Sequence, residues 1–94
     1  MSQILLSDLA VEQLSEMPAQ IGRFMLDSLQ RLRTFPRSAP RVPVEGYESF
    51  RQITVRSYRA IYCYFEEKNE VRVYCILHVR RRLPSPELLK YQLF

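Results

Sequence analysis

Two runs rich in Val, Ile, Tyr, Phe and Cys, Tyr58–Phe65 and Val71–Val79, stand on either side of a short charged break, Glu66-Glu67-Lys68-Asn69-Glu70. These residue types suit a pleated, half-buried surface. The break is charged, and its Asn69 belongs to a residue type that tolerates a left-handed turn position. The pattern predicts a long antiparallel hairpin around which the chain must be arranged. The first run is largely apolar at both parities, Arg59 apart, as expected of a central strand covered on both faces. The second alternates Val71, Val73, Cys75 and Leu77 with Arg72, Tyr74, Ile76 and His78, so one side reads as core and the other as partly polar. It also delivers His78 and the consecutive Arg80, Arg81 and Arg82 to one end of a sheet.

The residues before the hairpin are of a different kind. Gln3 to Leu6 reads as a short first strand. Ser7 is placed to cap a helix, with Asp8 favourable at its positive end. Leu9, Ala10, Leu14 and Met17 then recur at helical spacing. Pro18 suits the first turn of a second helix, where a missing N–H costs nothing. Ile21, Phe24, Met25, Leu29 and Leu32 give that helix an apolar stripe, and Pro36 ends it near Thr34. Residues 35–49 hold Pro36, Pro40, Pro43 and Gly46 and read as an extended connection. Phe50 to Val55 is a further strand, and Arg56-Ser57 is a tight turn without the usual Gly. Ser85 caps a short helix with Pro86 at its first position, and an apolar finish from Leu88 to Phe94 needs cover. The expected fold is α+β in the order β-α-α-β-β-β: an antiparallel sheet, an N-terminal helical hairpin packed on it, and a short C-terminal helix.

With 94 residues, one domain spanning 1–94 is expected. The net charge is +4, and its placement matters more than its size. Only Arg23 is basic before Arg31, while the remaining thirteen basic residues follow from there. Cys63 and Cys75 form no CxxC pattern, and one histidine is too few for a usual zinc site, so no metal and no cofactor are expected. Both read as small apolar residues on neighbouring strands. No run resembles a signal peptide or a membrane span, so a cytoplasmic protein without membrane contact is expected.

Three segments carry a resemblance. Phe50-Arg51-Gln52-Ile53-Thr54-Val55 is an Arg-led strand, Ser57-Tyr58-Arg59-Ala60-Ile61-Tyr62 a strand of YR type, and Ile76-Leu77-His78-Val79-Arg80-Arg81-Arg82-Leu83-Pro84 a strand ending in LH with arginines beyond. In that order they resemble the RelE/ParE superfamily of type II toxin–antitoxin toxins, over nearly the whole chain. The resemblance implies a growth-arresting toxin neutralised by a cognate antitoxin that wraps around it. Members similar to RelE cut mRNA in the ribosomal A site without a metal. Members similar to ParE poison DNA gyrase. A degenerate toxin kept as an antitoxin-binding module is a third reading.

Metal-free cleavage by a 2′-hydroxyl needs a base, an acid for the leaving 5′-oxygen, and fixed positive charge at the phosphate. The resemblance implies Arg59 and Arg81 as phosphate-stabilising arginines. His78 is the one side chain of a type that titrates near neutrality, hence the candidate proton carrier. These three are the candidate catalytic residues. Arg51, Arg56, Arg80 and Arg82 are candidate phosphate contacts, and Tyr91 is a candidate to act as an acid or to stack on a base. Two lysine positions of RelE are occupied here by Gln52 and Thr54, and its late tyrosine falls nearer Glu87 than Tyr91. The leading expectation is a ribosome-dependent mRNA endonuclease acting on ribosome and message, with gyrase inhibition as the alternative.

Overall fold

The computed structural model describes residues 1–94 and places a four-stranded sheet at the centre of the chain. The elements run β1 (Gln3–Leu6), α1 (Asp8–Glu16), α2 (Ala19–Arg31), β2 (Arg51–Val55), β3 (Tyr58–Phe65), β4 (Glu70–His78) and α3 (Pro86–Lys90). Across the sheet the order is β1-β4-β3-β2. The expected hairpin is β3–β4, joined by one turn of 3-10 helix, Glu66–Lys68, and by Asn69 at φ 52°, ψ 48°. Asn69 also holds the chain's start: Ser2 Oγ and Tyr64 Oη donate to its Oδ1, and its Nδ2 donates to Met1 O.

Strands β2, β3 and β4 are antiparallel, as the sequence predicts. Strand β1 differs. It runs parallel to β4, with Gln3 opposite Glu70 and Leu6 opposite Val73. Short turns impose antiparallel pairing only on the strands they join, and no turn joins β1 to β4.

The helices begin where capping chemistry allows. Ser7 Oγ accepts the Ala10 N–H at 2.9 Å. Pro18 stands one position before α2 rather than inside it, and its carbonyl accepts from Gly22 N. Ser85 caps α3 by accepting from Leu88 N, with Pro86 in the first turn. The connection 32–50 is strapped to the sheet: Tyr62 Oη donates to Pro36 O, and Arg51 Nη1 donates to Arg37 O and Ala39 O.

Each sheet face carries its own core. The helical face buries Ala10, Met25, Leu29, Leu32, Ala60, Tyr62, Val71, Val73 and Ile76. The far face buries Val42, Phe50, Ile61, Cys63, Tyr74, Cys75, Leu77 and Leu89 under the connection and α3. Along β3 the faces alternate without a break. Along β4 they do not. Ile61 pairs with Cys75 while Tyr62 pairs with Val73, so Tyr74 is an extra residue in a bulge. Val71 and Val73 face the helices before the bulge, and Ile76 does so after it. The single alternation expected for Val71–Val79 is therefore wrong beyond Tyr74. The bulge reverses parity, and His78 emerges on the helical face beside Tyr58, its partner across the ladder.

Helix α1 meets the backbone groups that the bulge releases. Ser7 Oγ donates to Tyr74 O at 2.7 Å, and Gln13 Oε1 accepts the Ile76 N–H at 2.6 Å. Ser7 is fully buried, so its hydroxyl serves cap and bulge at once. Ser7→Ala is expected to destabilise the fold by about 2 kcal/mol, from a lost cap plus a buried carbonyl left unmet. Urea unfolding measures this, and the exposed Ser15→Ala should stay within about 0.5 kcal/mol of the parent.

Both cysteines are free and buried on the far face. Burial pushes the Cys63 thiol up to about 11 and the Cys75 thiol up to about 12. They stay protonated and packed, as small apolar residues do. The folded chain holds these protons more tightly than the unfolded chain. Their contribution to stability is thus full below the ordinary value of 9.0 and is lost as pH climbs toward 11 and 12. Melting temperature should therefore fall between pH 9 and pH 11, less so in Cys75→Ala than in the parent once neutral-pH differences are subtracted. A thiol reagent at neutral pH should label neither cysteine until denaturant is added.

Candidate functional site: the basic end of the sheet

The β2–β3 turn, the start of β3 and the residues after β4 meet at one end of the sheet. Arg56 and Ser57 form the turn, with Val55 opposite Tyr58 and the Val79 N–H donating to Ser57 O. Arg56 sits at φ 56°, a left-handed position where Gly or Asn is the easier residue, and its guanidinium lies 5.3 Å from the Phe24 ring centre. Arg80, Arg81 and Arg82 follow the strand as exposed turn residues. Four arginines thus crowd this end.

His78 is half-buried and held in orientation. Its ring lies edge-on to Tyr58, with centroids 5.3 Å apart at 74°. The Arg80 N–H donates to His78 Nδ1 at 3.1 Å, so a neutral ring carries its proton on Nε2. The Arg81 N–H closes the turn onto His78 O. Tyr58, His78 and Arg81 share an open concavity of about 210 Å³ with Gln13, Glu16 and Met17 of the α1 end. Of these lining residues, only His78 and Arg81 are site residues read from sequence; Tyr58 is a strand residue there, and Gln13, Glu16 and Met17 belong to α1 and its cap. Their signal is hidden inside an ordinary amphipathic helix.

Arg59 lies elsewhere. It alternates with Tyr58 and Ala60, which puts it on the far face opposite Leu77 and Thr54. From there Arg59 Nη2 reaches around to donate to Arg81 O at 2.8 Å. Arg59 Nε and Gln52 Oε1 are buried without a hydrogen-bond partner on that same face. The three candidate catalytic residues are thus gathered at one end, but only His78 and Arg81 open onto a common space. Arg59 is tied to the Arg81 backbone and positions that turn.

The other candidates divide by engagement. Arg51 is half-buried and grips the 37 and 39 carbonyls, so it straps the connection rather than waiting for phosphate. Arg80 and Arg82 are exposed on either side of Arg81 in the chain. Tyr91 ends α3 and is 80% exposed. A second, wider groove of about 400 Å³ lies between α2, the connection and β2, with Arg31 as its cation and no group suited to proton transfer. No helix is long and apolar enough to cross a membrane.

The sheet order, the helical hairpin on one face and the basic strand end define a RelE-like toxin fold. The match to solved structures is close in shape and distant in sequence. E. coli RelE in the intact RelBE toxin–antitoxin complex superposes with a TM-score of 0.73 at 19% identity, over 86% of this chain and 100% of that one. The isolated E. coli RelE toxin gives 0.73 at 18% identity, over 96% and 97%. RelBE2 from Mycobacterium tuberculosis, another toxin–antitoxin complex, gives 0.72 at 18%, over 82% and 96%. Comparison with curated protein sequences gives no match. The family model for the ParE toxin of the type II toxin–antitoxin system parDE matches residues 4–83. The chain belongs to the ParE toxin family, within the RelE/ParE superfamily, and is a toxin of a type II toxin–antitoxin system.

Proposed function

We propose that this toxin arrests growth as a ribosome-dependent endoribonuclease. One observation carries the reading. An imidazole whose Nδ1 accepts the Arg80 N–H, and whose neutral ring carries its proton on Nε2, shares a concavity with the Arg81 guanidinium. The ring first releases the Arg80 N–H and moves its proton to Nδ1; a 2′-hydroxyl proton then passes to the bare His78 Nε2 while O2′ bonds to the adjacent phosphorus. Negative charge builds on the phosphoryl oxygens, and Arg81 faces it. The P–O5′ bond breaks, and the 5′-oxygen takes a proton from the imidazolium, leaving a 2′,3′-cyclic phosphate. Arg59 holds Arg81 in place through its carbonyl.

Cell-free translation with the purified toxin tests this, with cleavage of ribosome-bound message mapped by primer extension. His78→Ala and Arg81→Ala should each lower cleavage by about 10²-fold or more while the fold is kept. Uncut message and undiminished translation overturn the proposal. A second reading, inhibition of DNA gyrase without catalysis, is favoured by the ParE family match and by Gln52 and Thr54 where RelE carries lysines. Supercoiling assays run beside the translation assays separate the two.

The proposed partner is an acidic, disordered antitoxin segment that folds on this surface, as the matched RelBE structures are complexes of toxin with antitoxin. The basic sheet end and the exposed Leu88, Tyr91 and Leu93 offer it charge and apolar contact. Titration calorimetry with the neighbouring reading frame's product should release heat in the parent and less as salt rises.

A further inference from the structure

We propose that the concavity beside α1 reads a guanine base of a single-stranded nucleic acid. This deepens the nuclease reading and rests on it only for the strand being message. The base preference stands on α1 itself.

Of the two ends of a carboxamide only the oxygen accepts, so the Ile76 N–H bond fixes which end of the Gln13 amide is which. Gln13 Oε1 is engaged, and Nε2 remains as a donor. Glu16 lies three residues on, a neighbour on the same helix face, and its carboxylate only accepts. The wall therefore presents a donor followed by paired acceptors. Guanine's pairing edge is the complement: O6 accepts, then N1–H and N2–H donate. Adenine and cytosine each place a ring-nitrogen lone pair against the carboxylate. Uracil offers one donor between two carbonyl oxygens. The match is selective by hydrogen-bond pattern alone.

The rest of the concavity suits a planar base. Tyr58 and His78 stand edge to face and half-buried, giving an aromatic wall of the kind on which unpaired bases stack. Its volume of about 210 Å³ is smaller than drug-sized sites, which begin at about 300 Å³. That suits one base with its ribose outside. Arg81 lines the same space, and its exposed chain neighbours Arg80 and Arg82 add positive charge for the attached phosphate.

Amide NMR of the ¹⁵N-labelled toxin tests the proposal without ribosomes. The additions are 5′-GMP, 5′-AMP, 5′-CMP, 5′-UMP, inorganic phosphate, and short single-stranded RNAs with and without one guanine. The expected result is that 5′-GMP moves the Ile76 and His78 amides and the Gln13 side-chain amide. It should bind about tenfold or more tighter than the other nucleotides, the discrimination of a good bidentate contact. Glu16→Gln should abolish the preference, and Glu12→Gln, which is exposed on the same helix, should keep it. Tighter binding of the guanine RNA than of 5′-GMP assigns the site to a strand, and equal binding assigns it to the free nucleotide. Equal affinity for all four nucleotides, or the same shifts from inorganic phosphate, overturns the guanine proposal. A guanine preference with uncut message leaves the pocket standing and removes only the nuclease reading.

Discussion

One extra residue in β4 decides what this sheet presents. Tyr74 adds a step to the strand without adding one to β3, so every residue after it changes face. Without the bulge, His78 would share the far face with Arg59. With it, His78 turns to the helical side and meets Tyr58, Arg81 and the end of α1. The cost of a bulge is unmatched backbone polarity, and buried unmatched groups are expensive. Here α1 removes that cost with two side chains, Ser7 at the Tyr74 carbonyl and Gln13 at the Ile76 amide. The helix and the bulge therefore fix each other, and the concavity forms between them.

Much of this was legible beforehand because it rests on local rules. Ser7 and Ser85 cap helices, Asn69 takes a left-handed turn, and the prolines of 35–49 exclude a helix, each for reasons contained within a few residues. The element order and the long hairpin follow from apolar period alone. What stayed hidden depends on pairing between distant strands. Tyr74 and Cys75 are both acceptable on either face, so no pattern within β4 marks where alternation breaks. The parallel entry of β1 is likewise a matter of which edge it finds.

The site was legible in composition and obscure in geometry. The cluster of arginines around a single histidine was plain from the chain, and the sheet does bring them to one end. Their division was not, because a guanidinium's partner here is so often a carbonyl far along the chain. Arg51 reaches Ala39, and Arg59 reaches Arg81. These arginines look alike in sequence as candidate phosphate contacts, yet they brace backbone. Gln13 and Glu16 escaped notice because a polar residue on an amphipathic helix ordinarily means solvent.

The central claim is that the Tyr74 bulge turns His78 onto the helical face, against Tyr58. A nuclear Overhauser spectrum of the folded toxin measures this directly. Cross-peaks between the ring protons of His78 and those of Tyr58 are the expected result, with none from the His78 ring to the Phe50 ring. Contacts from the His78 ring to the Phe50 ring, and silence toward Tyr58, would contradict the account.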